Sequence, residues 1–439
     1  MGNIMPRLFI VDPSLKDIRG HHYMMTRATT ISAQTAGFHV TWLCAKDFAG
    51  GLESDGVDIA PTFSASMYQN YITQKKAMWN QKRSWFNRLF TKSALPPKAT
   101  KICLVTAFYE DMIAAIEHYG IGENDRVFMH TGDGASMLAI PRLIASIDAS
   151  RMPTFHIATP YDPVGVMPNR DNAEDIAEAL QSVQKMGLIN SKLYLYAENR
   201  YLAEHLTSLW AIEVAPLDVP VYAPSVQKLA YGQEFRRNRL SVPDHSFLVV
   251  SLGSARVEKG FHHIPDIIQH TFKLADSAAC ENVDPTTLKF ILHASPQIVG
   301  RAPEILETLE KLNAMPKGQA ELLLDPLSEA DYQSLLHASD TVLMPYEEHA
   351  YRVRGSTIVS EAIASAKPIV ATKNTYPGNA ALEHGGRTGG TPFELAEAIL
   401  AIASDRERCK TQAAAISTEY IAKNGINTYW LKCLQREKQ

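Results

Sequence analysis

The sequence has few cysteines, no long apolar run and no basic excess, and each absence argues against a class of protein. The five cysteines among the 439 residues lie far apart and form no C-x-x-C pair, which argues against a disulfide framework and a cysteine-rich metal site. No apolar run approaches the roughly 18 residues that a membrane span needs. A net charge of −4 argues against a nucleic-acid partner. We therefore expect a cytoplasmic protein.

Two common nucleotide-binding motifs are missing as well. The sequence contains no P-loop, and Gly132-x-Gly134 lacks the third glycine of a dinucleotide fingerprint.

Short apolar segments alternate with helical patterns along the whole chain, which is typical of parallel sheets with helices on both faces. The strand candidates are Leu8–Val11, His39–Leu43, Ile102–Thr106, Val127–His130, Thr154–Ala158 and Leu193–Tyr196 in the first half, and Phe247–Leu252, Leu288–His293, Glu321–Leu324, Thr341–Met344 and Pro368–Ala371 in the second. Three prolines within 216–224 indicate a linker. We predict an α/β fold of two doubly wound, Rossmann-like domains, 1–222 and 223–415, with a C-terminal helix within 416–439 that crosses back to the first domain.

The first candidate site follows the predicted strand Phe247–Leu252. In the segment Gly253–Gly260, the two cations Arg256 and Lys259 stand three residues apart, just before a helical pattern. Free N–H groups and the helix dipole favour an anion at such a turn, and two added cations suit a diphosphate. The alternative is a solvated loop in which both cations pair with nearby acids.

The second candidate site follows the predicted strand Thr341–Met344. Gly355 allows the backbone to approach a ligand closely, and Ser356 or Thr357 can cap the helix that begins there. Glu361 falls about two turns into that helix, among alanines, where its carboxylate could accept hydrogen bonds from a ribose diol. An exposed helix position is the alternative interpretation of Glu361.

Together, the two segments resemble the retaining glycosyltransferases of GT-B fold, of the family-four type. The resemblance lies in the pattern G-x-x-R-x-x-K-G over Gly253–Gly260 and in E-A-x-A-x-G-K-P over Glu361–Pro368, where Ala366 replaces the family's glycine. Asp325–Asp340 is similar to the family's nucleotide-base loop and the helix after it. It implies two domains that face a cleft, a UDP- or GDP-sugar as donor, and no metal or other cofactor, in agreement with the absence of a D-x-D motif. It also implies catalytic roles for Arg256 and Lys259, and donor binding by Gly253, Arg354, Gly355, Ser356, Thr357 and Glu361.

The sequence departs from this family at Val353, where a glutamate usually stands. A bacterial subset has a Tyr-x-x-Arg-x-Ser pattern instead, matched here by Tyr351, Arg354 and Ser356. Arg354 would then supply a cation near the phosphates or the donor sugar. We expect a hexosyltransferase that acts on a glycan or lipid-linked acceptor in polysaccharide or glycoconjugate synthesis. A catalytically weak nucleotide-binding subunit and a nucleotide-sugar epimerase stay open as alternatives.

The first half contributes three further candidates. The resemblance places Gly20 and His21 in a loop that faces the donor, and His130 at a strand end near the transferred sugar. A histidine at that position is suited to polarise a hydroxyl group. Structural roles for both histidines are the alternative.

A basic segment in the first half favours contact with a membrane surface. Residues 59–109 contain no acidic residue but eight lysines and arginines, and aromatic residues lie among them near 70–100. Such a composition suits the surface of an anionic membrane, where lipid-linked acceptors are found. A helical insertion packed on the first domain is the alternative.

Overall fold

The computed structural model describes residues 5–18, 20–50, 56–66, 104–162, 171–277, 283–294, 302–316 and 318–439. They belong to two compact units, Met1–Leu217 with Ile426–Gln439, and Asp218–Gly425. The basic segment near 70–100 lies outside the described residues, so its membrane contact stays a prediction. None of the helices in the described ranges combines the length and the apolar character needed to cross a bilayer.

A parallel sheet of seven strands lies at the centre of the first unit, in the order β3-β2-β1-β4-β5-β6-β7. Its strands are β1 (Arg7–Asp12), β2 (His39–Ala45), β3 (Asp58–Phe63), β4 (Arg126–Met129), β5 (Thr154–Thr159), β6 (Leu193–Ala197) and β7 (Ala215–Pro216). In the described part of this unit, the α-helices are Gly20–Thr35, Leu104–Tyr119, Gly134–Ser146, Asp171–Lys185, Arg200–Trp210 and Ile426–Glu437. The central strands are almost continuously apolar because helices bury both faces of the sheet.

The last helix, Ile426–Glu437, packs on this first sheet although it follows the second unit in sequence. Trp430 is 0 % exposed, and its ring centroid lies 5.6 Å from that of Phe128 in β4. Its backbone N–H donates to Ser32 Oγ at 2.8 Å. Farther along, Glu437 accepts hydrogen bonds from the Arg126 guanidinium at 2.7 and 2.9 Å. Aromatic packing and a paired charge thus hold the end of the chain on the first unit.

A parallel sheet of six strands lies at the centre of the second unit, in the order β10-β9-β8-β11-β12-β13. Its strands are β8 (Phe247–Ser251), β9 (Leu288–His293), β10 (Ala320–Leu323), β11 (Thr341–Met344), β12 (Ile369–Thr372) and β13 (Arg387–Gly389). The α-helices are Val226–Asn238, Ile264–Ala275, Pro303–Asn313, Glu329–Ala338, Glu348–Tyr351, Thr357–Ala364, Tyr376–Glu383, Pro392–Ser404 and Arg406–Asn424. Ile267, Phe290 and Ile399 belong to the buried core that joins sheet and helices.

Both strand orders confirm the predicted fold class of two doubly wound α/β domains. In each sheet the order reverses at one place, between β1 and β4 in the first and between β8 and β11 in the second. In open α/β sheets, ligands bind outside the carboxyl ends of the strands at this reversal. β8 ends at Ser251 and β11 ends at Met344. Because these two strands are neighbours in the sheet, the candidate segments that follow them lie at its switch point.

The strand predicted at Ile102–Thr106 is wrong, because the helix Leu104–Tyr119 already includes its last three residues. A short, mostly apolar segment fits a buried helix as well as a strand. Three strands of the described residues were not predicted. β3 and β7 each contain a proline and lie at the edges of the first sheet, where a missing N–H is tolerated. The third, β13, has three residues.

Candidate functional site

Gly260 brings the loops after β8 and β11 into direct contact. Its φ is +62°, and a Cβ at this position would lie 1.6 Å from the carbonyl oxygen of Pro345. Glycine alone tolerates both the left-handed backbone and so close an approach. Beside this contact, the Glu347 N–H donates to the carbonyl of Glu258 at 3.1 Å. The two loops therefore form one structure at the switch point of the second sheet.

Lys259 is the central charge of this structure. Gly253 has a φ of +111°, and a Cβ there would lie 2.6 Å from Lys259 Nζ, so the glycine leaves room for the ammonium group. Nζ also lies 5.4 Å from the centroid of the Tyr346 ring. Burial lowers the pKa of Lys259, and the positive charges of Arg256 and Arg354 lower it further. A polyanionic ligand would relieve both the burial cost and the repulsion among these cations.

Arg354 and Arg256 reach this place from different loops. The Arg354 guanidinium carbon lies 5.0 Å from the centroid of the Tyr351 ring, and Tyr351 is 3 % exposed. The tyrosine and arginine of the Tyr-x-x-Arg-x-Ser pattern thus pack against each other. Arg256 precedes the 3₁₀ turn Val257–Lys259, and its Nη1 lies 3.6 Å from Glu258 Oε1. The positive charges of both guanidinium groups lower the pKa of Lys259.

The helix Thr357–Ala364 begins directly after this loop. Ser356 is its N-cap residue, and its side chain makes no capping hydrogen bond within the part of the chain that the structure describes. The partly buried residues Gly355, Ser356 and Thr357 thus form the predicted helix start. The N-terminus of a helix carries a partial positive charge, so this helix start favours an anion.

Glu361 lies in the second turn of this helix and is paired with a tyrosine. The Tyr332 hydroxyl donates to Glu361 Oε2 at 2.8 Å. Burial raises the pKa of Glu361 to about 7, although the hydrogen bond from Tyr332 and the charge of Lys259 oppose the rise. Glu361 is therefore a carboxylate in a partly apolar place, near the cation group, with a hydroxyl partner already in position.

A second polar group lies at the switch point of the first sheet. Asp12 ends β1 and is 3 % exposed, and His22 Nδ1 donates to its two oxygens at 2.9 and 3.0 Å. His130 Nε2 lies 3.4 Å from Asp12 Oδ2. Burial raises the pKa of Asp12, but the charge of His22 and the hydrogen bonds from both histidines outweigh it, so that the pKa is lowered. For His22, burial lowers the pKa, but the Asp12 charge and hydrogen bond outweigh it and raise the pKa.

The structure places His130 inside the protein. It is 0 % exposed, and its two ring nitrogens lie 2.8 Å from the hydroxyls of Thr26 and Thr131. His130 therefore contacts the Asp12–His22 pair and these threonines. Sequence reasoning missed that pair, although an aspartate at the end of the first strand is a signal for the carboxyl edge of the sheet.

Gly20 and His21 open the helix Gly20–Thr35, directly beside His22. Gly20 has a φ of +74° and open space where a Cβ would lie, so its backbone angle alone calls for glycine. The His21 side chain is 35 % exposed, and its Nε2 lies 3.9 Å from the buried carboxylate of Glu198, just after β6. These residues and the Asp12–His22 pair thus form one histidine- and acid-rich region of the first unit.

Comparison with known proteins gives a structural match without a sequence match. No protein-family model matches the sequence, and no curated protein sequence matches it. Sucrose-phosphate synthase from Thermosynechococcus elongatus superimposes with a TM-score of 0.66 at 12 % identity, over 99 % of this chain and 98 % of that chain. An α,α-trehalose-phosphate synthase from Burkholderia xenovorans, in complex with glucose-6-phosphate, gives 0.63 at 11 %, over 99 % and 100 %.

HepE from Anabaena, in complex with UDP-glucose, is also similar, with a TM-score of 0.59 at 15 % identity over 98 % of this chain and 99 % of that chain. The chain has the GT-B fold. Because the match to each GT-B structure extends over nearly the whole chain, it includes both units. At these identities the likeness establishes the fold, and the chemistry must be argued from the residues.

Proposed function

We propose that this protein is a glycosyltransferase that moves a sugar from a UDP- or GDP-sugar to an acceptor with retention of anomeric configuration. The observation that carries the proposal is the group formed by Lys259, Arg256 and Arg354 at the switch point of the second sheet. Three cations lie there, and one of them is a partly buried ammonium group whose pKa is lowered. A nucleoside diphosphate has the charge and the size to satisfy them.

In this proposal the donor lies along the carboxyl edge of the second sheet. Its diphosphate binds Lys259, Arg256 and the helix start at Gly355–Thr357, where N–H groups and cations act together. Its ribose binds Glu361, whose carboxylate already accepts a hydrogen bond from Tyr332 at 2.8 Å. The similar Anabaena protein, solved with UDP-glucose, supports a nucleotide-sugar as the ligand.

The same cations would act on the transition state. Negative charge builds on the diphosphate as the bond to the sugar breaks, and fixed cations in a partly buried place stabilise that charge strongly. The acceptor hydroxyl would attack on the face that the nucleotide leaves, and the leaving phosphate would accept its proton. Valine stands at position 353, where the similar enzymes usually have a glutamate near the donor sugar. In this protein Arg354, which packs on the Tyr351 ring, would contact the donor instead.

For the acceptor, we propose a hydroxyl of a glycan or of a lipid-linked glycan, bound by the first unit. The switch point of the first sheet carries Asp12 and the histidines beside it, with the buried carboxylate of Glu198 nearby. Such a region suits hydrogen bonding to hydroxyl groups better than binding of a second phosphate. Because the similar Burkholderia enzyme was solved with glucose-6-phosphate, a sugar phosphate is the alternative acceptor to test beside glycans.

Nucleotide release from a panel of nucleotide-sugars, with glycan, lipid-linked and sugar-phosphate acceptors, tests the proposal. We expect Arg256→Ala and Lys259→Ala each to lower kcat/KM by about 100-fold, the usual effect of removing one group that stabilises transition-state charge. Lys311→Ala is the matched control, because this lysine is 57 % exposed in the same unit. Wild-type turnover in both site variants would refute the proposal. Binding without turnover would favour a nucleotide-binding subunit, and an epimer formed from donor alone would favour an epimerase.

A further inference from the structure

A group of three metal-binding side chains lies beside the proposed donor loops. His262 and His263 belong to the 3₁₀ turn Phe261–His263, directly after Gly260, and Glu347 lies in the loop after β11. The Nε2 atoms of His263 and His262 lie 2.9 and 3.3 Å from the same oxygen, Glu347 Oε1. Among the described residues, these three offer one ligand atom each, all within 4.8 Å of one another.

The composition of this group fits one class of ion. Two imidazoles and a carboxylate are the ligands of zinc sites that leave a fourth position open. With bonds of about 2.0 to 2.2 Å, a tetrahedral site holds its ligand atoms about 3.3 to 3.6 Å apart. The observed separations require small side-chain movements to reach that geometry. The side chains of His262, His263 and Glu347 are 27 %, 38 % and 24 % exposed, so that an ion and a water molecule can reach them.

The interactions of the histidines also favour an ion between these groups. Their ring centroids lie 4.0 Å apart, and both rings direct Nε2 at one carboxylate oxygen. A divalent cation placed among the three groups binds all of them and neutralises the carboxylate.

We propose that His262, His263 and Glu347 bind a divalent transition metal of the zinc class, with water as the fourth ligand. The ion would join the turn that follows Lys259 to the loop that follows Pro345. It would thereby hold together the two loops that already meet at Gly260. This role is structural, and it does not depend on the proposed transferase activity.

Titration of the chelator-treated full-length protein with Co²⁺ alone tests this inference, because tetrahedral Co²⁺ absorbs strongly in the visible range. We expect one equivalent to give this absorption and Zn²⁺ to displace it. His263→Ala and Glu347→Gln should abolish stoichiometric binding. His270→Ala, a histidine of the adjacent helix that packs on Phe393, is the matched control and should bind as the wild type does.

Absence of the absorption in wild-type protein would overturn the inference, and so would unchanged binding in both ligand variants. X-ray absorption of the Zn²⁺-loaded wild type gives a second measurement that needs no variant. Scattering from two imidazoles is expected, and a site without imidazole would contradict the assignment. Neither measurement uses a nucleotide. A negative result here therefore does not argue against the proposed donor site, and a negative result for donor binding does not argue against the metal site.

Discussion

Replacing Glu361 by glutamine should stabilise the second unit above neutral pH and weaken nucleotide binding at the same time. Burial raises the pKa of Glu361 from its ordinary value of 4.5 to about 7. Folding therefore disfavours the ionised carboxylate, which the proposed ribose contact uses. Glutamine keeps the size of the side chain and an acceptor for the Tyr332 hydroxyl, but it carries no charge.

The size of the effect follows from the pKa difference. Between pH 4.5 and about 7 the folded state retains a proton that the unfolded state has lost, so the unfolding free energy falls as pH rises through this window. At about 1.4 kcal/mol for each pKa unit, the full cost is about 3 kcal/mol above pH 7. Since Glu361 is only partly buried, we expect Glu361→Gln to gain about 1 to 3 kcal/mol near pH 8.5 and almost nothing near pH 4.5.

Urea unfolding of wild-type and variant protein at both pH values measures this gain. All five tryptophans lie outside residues 218–425, so their fluorescence reports the first unit, whereas circular dichroism reports both units. The circular dichroism transition should shift at the higher pH, and the fluorescence transition should shift little. Tyr332→Phe should act in the opposite direction, because it removes a hydrogen bond that stabilises the ionised carboxylate. A gain that is equal at both pH values, or a loss near pH 8.5, would refute the reasoning.

Three further substitutions test other parts of the structure. Gly260→Ala should lower the unfolding free energy of the second unit by at least about 2 kcal/mol in urea unfolding, because its Cβ would clash with a carbonyl oxygen. Gly120→Ala is the control: its φ is +55° but a Cβ there meets open space, so only the backbone strain of about 1 kcal/mol is expected. Trp430→Ala should destabilise the first unit by about 3 to 5 kcal/mol, and a smaller loss in the same assay would mean that the last helix is not needed there. Asp12→Asn should lower the pKa of His22, and an unchanged histidine titration by NMR would contradict the paired geometry.

Local pattern was sufficient to locate the candidate donor site. The glycines and cations of Gly253–Gly260 stand directly after a strand, and Glu361 stands in a helix with small neighbours, so a window of ten residues carries each signal. That the two segments lie side by side could not be predicted from local pattern. It depends on β8 and β11 being neighbours, and strand order is a property of the whole sheet.

Contacts between distant residues explain most of what sequence reasoning missed. Tyr332 and Glu361 are 29 residues apart, and nothing in either segment indicates that they share a hydrogen bond. The wrong strand at Ile102–Thr106 has another cause, because a short, mostly apolar segment fits a helix equally well. His130 was a candidate because of its position at a strand end, but its complete burial follows from packing that the sequence does not show.

The most direct test of the donor site compares nucleoside diphosphate and monophosphate binding by calorimetry in wild-type protein and in Lys259→Ala, with the base chosen first by thermal shift. Wild-type protein should bind the diphosphate more tightly, since the second phosphate meets Lys259. The variant should lose that preference by about tenfold or more, while its monophosphate affinity stays nearly constant and Lys311→Ala behaves as wild type. An equal preference for the diphosphate in wild-type protein and Lys259→Ala would contradict a diphosphate site at Lys259.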